Sequence, residues 1–407
     1  MTVIPNSRAV FCPRLLAFCA LPLACAQAPA PPAQVHQTPE DVTSQLITQL
    51  VERGEEVGFS YLVVSAAGPT FALTRGRLDA AGTAQVDAQT LFLSASTTKI
   101  VTALAVLRLV DQGKLQLDDA FTRYLPELPY AQDVTVRRLL SHSAGIPNPL
   151  PLKWLHSRAV HPHFSESSAL LEVVKSSAGD VARAGEKYRY SNLGYWLLGA
   201  LIERVSGQKY ATFVREQLLT PLGIDDQDFS FEPLEGKLAR GHYERYSLFG
   251  LALPLLTDHT HRTSGVGRWG RFETLFMNGP AYGGGFATAR GYGRLLGALL
   301  DDSATLLSAD SRAVLFSTQQ DNTGKPLGVS LAFRRGRLGQ ENYFSKPGGG
   351  PGFSGNVRVY KRLGIATVFL SNRMRFSENA IEELSDQLDA AFVAERAQSL
   401  TSTRRQP

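Results

Sequence analysis

Apolar positions recur with helical spacing from Asp41 to Arg53, where Val42, Leu46, Ile47, Leu50 and Val51 share one face. The same period returns from Ser377 to Val393 through Ile381, Leu384, Leu388 and Phe392. Phe59 to Val64 and Phe71 to Thr74 read as strands around a turn at Gly68-Pro69, and Asn356 to Tyr360 and Ile365 to Leu370 read as strands near the other end. The two ends thus supply helix–strand–strand and strand–strand–helix. The middle, from Ser96 to about Leu307, reads as helices and long loops. The economical topology is one sheet built from both ends with a mainly helical lobe (about 96–310) inserted between them. Together they form a single two-lobed unit over 41–397. Leu248 to Leu256 is apolar but too short to span a bilayer. It reads as a core segment or a wall of a substrate pocket, with a lipid-touching lid as the other reading.

The first 26 residues have a different pattern. Arg8 and Arg14 stand without an acid, Leu15 to Ala24 is apolar, and Ala24-Cys25-Ala26 follows. That is the layout of a secretory signal peptide, and it predicts a secreted or periplasmic protein cleaved after Ala26. A rival reading makes Cys25 the lipidated first residue of an anchored lipoprotein; Ala24 fits it, and Pro22 fits poorly. Cys12, Cys19 and Cys25 are the chain's three cysteines. The rest therefore holds no disulfide, thiol nucleophile or cysteine metal ligand. Residues 27–40 read as a Pro/Ala-rich linker, and 398–407 as a polar, disordered tail.

The 407 residues are 43% hydrophobic and 19% charged, which excludes a disordered or collagen-like chain. The net charge of +5 comes from a scattered excess of bases. No basic stripe marks a nucleic-acid partner.

The candidate chemistry begins at Ser96 and Lys99, an S-x-x-K at the head of the apolar segment that runs to Gln112. A helix apolar on nearly all sides is buried. It would carry Ser96 at its start and Lys99 one turn later on the same face. Burial depresses a lysine pKa, and a helix start offers N–H groups to a developing oxyanion. A second S-x-x-K at Ser206 to Lys209 follows an apolar run, and Gly207 there reads as a helix C-cap, so Ser206 is structural. Tyr190-Ser191-Asn192 precedes another apolar helix, and Lys346-Pro347-Gly348 opens a glycine-rich run just before a predicted strand.

Ser96-x-x-Lys99, Tyr190-x-Asn192 and Lys346-x-Gly348, in that order, resemble the three boxes of serine β-lactamases and penicillin-binding proteins. The spacings and the flanks at 139–147, 190–207, 282–300 and 346–355 are similar to the class C-like branch, which also holds esterases and D-amino-acid peptidases. The resemblance implies an α+β fold: an α/β sandwich lobe with an antiparallel sheet flanked by helices, plus the inserted helical lobe. It implies a hydrolase with Ser96 as nucleophile, Lys99 as activator and Tyr190 as partner base and later proton donor. Two flanking cations, Lys99 and Lys346, are expected to lower the Tyr190 pKa. Asn192, Lys346 and Gly348 would bind substrate, and the N–H groups of Ser96 and Gly349 would form the oxyanion hole. No cofactor or metal is implied. The expected partner is a β-lactam, a D-amino-acid peptide or a small ester or amide.

Two departures stand out. No E-x-x-L-N supplies a deacylating glutamate, and Pro347 stands where a hydroxyl residue usually helps hold a substrate carboxylate. Both leave room for an alternative, a penicillin- or peptidoglycan-binding sensor that acylates without turnover. The pairs His161-Pro162-His163 and His259-Thr260-His261, with His156 near the first, lie in polar loop-like text and do not read as a zinc site. His142 reads as structural.

Overall fold

The computed structural model describes residues 37–149, 154–303 and 306–403. The leader and most of the linker predicted over 1–40 lie outside them. Helix α1 (Pro39–Glu52) starts two residues before the predicted Asp41. Thr38 caps it reciprocally with Asp41, and Pro39 fills the first turn. Strands β1 (Gly58–Ser65) and β2 (Gly68–Gly76) follow as a hairpin.

The middle of the chain carries helices α2 (Thr98–Asp111), α3 (Asn192–Ser206), α4 (Leu248–Leu256) and α5 (Ala289–Leu300). It also holds three small antiparallel sheets that the sequence pattern missed, built from strands of two to five residues. Segments that short are below the length at which alternation is readable.

The chain then returns to the main sheet with β3 (Arg334–Leu338), β4 (Glu341–Gly350), β5 (Phe353–Tyr360) and β6 (Ile365–Ser371), and closes with α6 (Glu378–Thr403). The six strands lie in the order β3-β4-β5-β6-β1-β2, all neighbours antiparallel. β1, from the front of the chain, pairs with β6, from its back, so the predicted topology of a sheet built from both ends holds.

Both faces of this sheet are covered, which is why β1 and β6 read as almost continuous apolar runs. Phe59, Tyr61 and Val63 pack with Ile47 of α1 and with Ile381, Leu384 and Leu388 of α6. Their alternates Leu62 and Val64 join the larger core with Tyr292 and Leu295 of α5. Helix α6 runs past its predicted end at Val393 and through Thr403, into the stretch from 398 expected to be disordered, because Ala397 and Leu400 still pack on the α1–α6 cluster.

α2 is buried from Thr98 to Leu107, as its composition predicts. Gly207 closes α3 in the left-handed region at φ 72°, and Ser206 is bound back to the carbonyl of Ile202 at 2.6 Å, a purely local role. The apolar run at 248–256 departs from the reading as core or pocket wall. Its helix exposes Leu248, Leu251, Leu255 and Leu256, and only Gly250 and Leu253 are buried. Among the described residues no helix is long and apolar enough to cross a membrane.

Candidate active site

Ser96 sits in a 3-10 turn (Ala95–Thr97) that leads into α2 rather than in the helix itself. Ala95 holds a left-handed φ of 46°, a strained conformation for a residue with a Cβ. Thr97 anchors the turn: its hydroxyl donates to the Ser94 carbonyl or pairs with the Tyr292 hydroxyl of α5, each at 2.7 Å. From this mount Ser96 Oγ lies 3.0 Å from Lys99 Nζ and 2.6 Å from Tyr190 Oη.

Tyr190 is placed by the residue after it. Ser191 is the N-cap of α3, accepting the N–H of Gly194 and donating to the Pro147 carbonyl at 2.8 Å. Asn192 is the first helical residue. Its Oδ1 accepts from Lys99 Nζ at 2.8 Å and from Tyr190 Oη at 3.3 Å. Lys99 Nζ also donates to the Tyr282 carbonyl at 2.5 Å.

Lys346 lies inside β4 and not ahead of a strand as predicted; the glycines after it pair with β5 as far as Gly350 opposite Phe353. Its ammonium is buried 4.9 Å from the centre of the Tyr190 ring, and that of Lys99 is 5.1 Å from the same ring. Gly348 is where the strand meets the Ser96 turn. A Cβ there would stand 2.7 Å from the Ser94 carbonyl and 3.0 Å from the Thr97 nitrogen, so only glycine lets the two backbones touch.

A cavity of about 130 Å³ opens at the nucleophile. Ser96, Asn192 and Gly349 border it together with Leu155, Leu275 and Met277. Both backbone segments expected to form the oxyanion hole therefore reach the same space. Lys346 and Gly348 do not border it; they support the site from behind.

The electrostatics follow from burial. Lys99 is held well below the ordinary lysine range, first by loss of water and then by repulsion from Lys346. Burial likewise pushes Lys346 down to about 8, against a smaller upward pull from Glu378. The expectation for Tyr190 fails. Its phenol is pushed up, because burial outweighs the lowering by its hydrogen bond to Ser96. Neither lysine is among the groups that set this shift; burial dominates it.

Donor counting completes the picture. A neutral amine has two N–H groups and one lone pair, whereas an ammonium has three donors and no acceptor. The Tyr282 and Asn192 oxygens take two N–H groups. Nζ also stands 3.0 Å from Ser96 Oγ as a donor, so the three oxygens suit an ammonium, and a neutral amine would keep the first two bonds and turn its lone pair to Ser96.

Two participants escaped the sequence reading. One is the Tyr282 carbonyl, which sits beside the glycines 283–285 in a short helix and carries no side-chain signal. The other is His142, read as structural without a target. Its ring lies 4.5 Å from that of Tyr190; its Nδ1 accepts the Ser191 N–H at 3.2 Å, and its carbonyl accepts the Arg189 N–H at 2.7 Å. It thus grips the backbone on both sides of Tyr190, from a left-handed φ of 55°. Its one trace in the sequence is the helix-cap-like SHSAG stretch.

Among the described residues no three His, Asp, Glu or Cys converge as metal ligands. His156 and His161 bond to each other at 2.7 Å, between Asn278 and Glu232.

Comparison with known proteins agrees with this geometry. The family described as Beta-lactamase matches residues 43–392. Penicillin-binding protein 4* of Bacillus subtilis (strain 168) is 32% identical over 137 residues, 33% of this chain and 30% of that protein. With 37% of Protein flp of Staphylococcus aureus (strain COL) also matched, the chain spans about a third of the length of these curated relatives. Among solved structures, the D-amino acid amidase from Ochrobactrum anthropi SV3, complexed with L-phenylalanine amide, superposes with a TM-score of 0.72 at 22% identity, covering 88% of this chain and 99% of that one. A class C beta lactamase from Rhodobacter sphaeroides gives 0.64 at 18% identity, covering 86% and 99%. At these identities the likeness of the structures is one of fold.

Proposed function

Because the chain belongs to the beta-lactamase family, we propose that its serine-hydrolase chemistry runs through an acyl-enzyme on Ser96, formed from an uncharged ester or amide with an apolar acyl group. The observation that carries this reading is the placement of Ser96 Oγ between Lys99 Nζ and Tyr190 Oη at the mouth of an apolar cavity.

Lys99, neutral, takes the Ser96 proton as the oxygen attacks the substrate carbonyl. The oxyanion that forms is met by the N–H groups of Ser96 and Gly349. Tyr190, still a phenol, gives its proton to the leaving oxygen or nitrogen, and the Lys99 ammonium replaces it. Both groups are then reset. A water entering where the leaving group stood is deprotonated by the same pair and frees Ser96. Export through the leader at 1–26 belongs to the same reading.

The acyl preference rests on what borders the cavity. No Asp, Glu, Lys or Arg does so among the described residues. A β-lactam or a D-Ala-terminated peptide brings a carboxylate, and the groups that could meet it are otherwise engaged. Lys346 is buried against Tyr190, Pro347 has no hydroxyl, and Arg375 is bound to Glu56 and Ser354.

The test is a time course of intact mass and product with nitrophenyl butyrate and, separately, a penicillin. The expected result is turnover of the ester with a transient adduct that Ser96→Ala abolishes. A lasting penicillin adduct without ester turnover would replace the reading with the sensor alternative. Full activity in Ser96→Ala would end both.

A further inference from the structure

The geometry points to α4 as a lipid-docking ridge that seats the protein on an anionic bilayer surface beside its active-site cavity. Leu248, Leu251 and Leu255 fall at i, i+3 and i+7 on one helix face, 91%, 63% and 89% exposed, with Leu256 beside them. Tyr246, just before the helix, is 71% exposed. Soluble surfaces rarely carry so many large apolar side chains together without a partner. No charged residue interrupts the chain from Tyr246 to Thr257.

The helix is firmly mounted, so the exposure is not that of a frayed loop. Ser247 caps it through the Gly250 N–H at 3.0 Å. Leu253 is buried with Tyr243, Phe272 and Leu275, and the ring of Phe249 lies tilted against that of Phe376, itself half exposed.

Charge selects the occupant. Arg245 is exposed at the start of the ridge; its backbone N–H donates to the Arg268 carbonyl, while its guanidinium has no ion-pair or hydrogen-bond partner among the described residues, only the ring of Tyr246 at 5.7 Å. The neighbouring acids are already engaged. Glu244 pairs with Arg268, and Asp258 accepts the N–H and hydroxyl of Thr260. A second copy of the chain would bring another apolar ridge and another unpaired arginine. An anionic headgroup layer offers phosphate to Arg245, an interfacial level for Tyr246 and acyl chains to the leucines.

The ridge is also continuous with the cavity. Thr257 and His261, which follow α4, border it, as does Met374, two residues from Phe376. Apolar acyl substrates dissolved in such a surface would meet the mouth directly.

Sedimentation of the Ser96→Ala protein with vesicles of phosphatidylcholine, with and without phosphatidylglycerol, tests this apart from any activity. We expect binding to the anionic vesicles, a loss of at least ~10-fold in Leu255→Asp, and a loss of roughly fivefold in Arg245→Glu. Turnover of a soluble ester by Leu255→Asp in the active background should match the parent, because Leu255 lies outside the site. No sedimentation with either vesicle, or binding that ignores Leu255→Asp, overturns the proposal. Equal binding to neutral vesicles overturns the choice of anionic lipid. A concentration-dependent dimer that Leu255→Asp dissolves, without vesicle binding, assigns the ridge to a second copy.

Discussion

Helices α2 and α4 are both built around apolar runs and are opposites in setting. TKIVTALAVLRLVD is buried on almost every side, while LFGLALPLL shows four leucines to solvent. An apolar run establishes that the side chains should leave water; it does not say what covers them. In α2 the cover comes from α3, the Tyr282 segment and the rest of the main core. That complete cover gives the helix its chemistry, because a lysine inside it cannot keep its ordinary pKa. In α4 the cover is missing, and the helix lies open beside the cavity.

The largest way to break the contrast is to remove the one strongly polar group that α2 turns to use. Lys99→Met should lower kcat by about 10²–10⁴-fold, the usual worth of a positioned general base, with far-UV circular dichroism unchanged. A rate within threefold of the parent would make Lys99 a packing residue and leave α2 no more functional than any core helix.

His142 tests whether burial alone orders the site. His142→Leu keeps bulk against Tyr190 but removes the acceptor for the Ser191 N–H. A displaced Tyr190 should cost roughly 10–100-fold in kcat with little change in KM. His142→Asn, whose amide oxygen can take the same N–H and which tolerates a positive φ, should restore most of it. Equal loss in both variants would show that the imidazole does something other than hold the backbone.

How much of this was legible beforehand divides along the same line. The sheet from both ends was readable from short apolar runs bounded by turn signals, and the burial of α2 from a longer helical run whose few polar residues leave no polar face. So were Ser96, Lys99 and Tyr190 as a set. The sign of the Tyr190 shift was not, since it depends on how dry the site is and not on which charges are near. The Tyr282 carbonyl was invisible because main-chain groups have no letter in a sequence. The fate of 248–256 was undecidable, since nothing within an apolar run records whether a neighbour arrives.

Lys346 sharpens the electrostatic half of the comparison. Its folded pKa of about 8 lies below the unfolded value near 10.5, so the unfolded chain binds the extra proton between those limits and stability rises with pH across them. Below pH 8 the buried charge costs about 3 kcal/mol at most. Lys346→Met should therefore raise Tm at pH 7 and lose that advantage as pH approaches 10.5. It also removes a cation that repels the Lys99 proton, so the acid limb of kcat/KM should move to higher pH. An unmoved limb would mean that the two lysines do not sense each other.

The smallest effect is the most direct test of cover. Leu104→Ala in α2 and Leu255→Ala in α4 delete the same atoms from two leucines, one with no exposed surface and one 89% exposed. The first should cost about 2–5 kcal/mol, through lost burial and the cavity left behind. The second should stay within about 0.5 kcal/mol in dilute buffer, because those atoms are in water in both the folded and unfolded chain. The two values should be measured by urea unfolding under identical conditions. A cost of 2 kcal/mol or more for Leu255→Ala would mean that α4 is covered in solution after all. The contrast between the helices would then be one of partner rather than of exposure. Adding anionic vesicles should affect only the second leucine, since a surface that binds the folded ridge stabilises the parent and not the alanine variant.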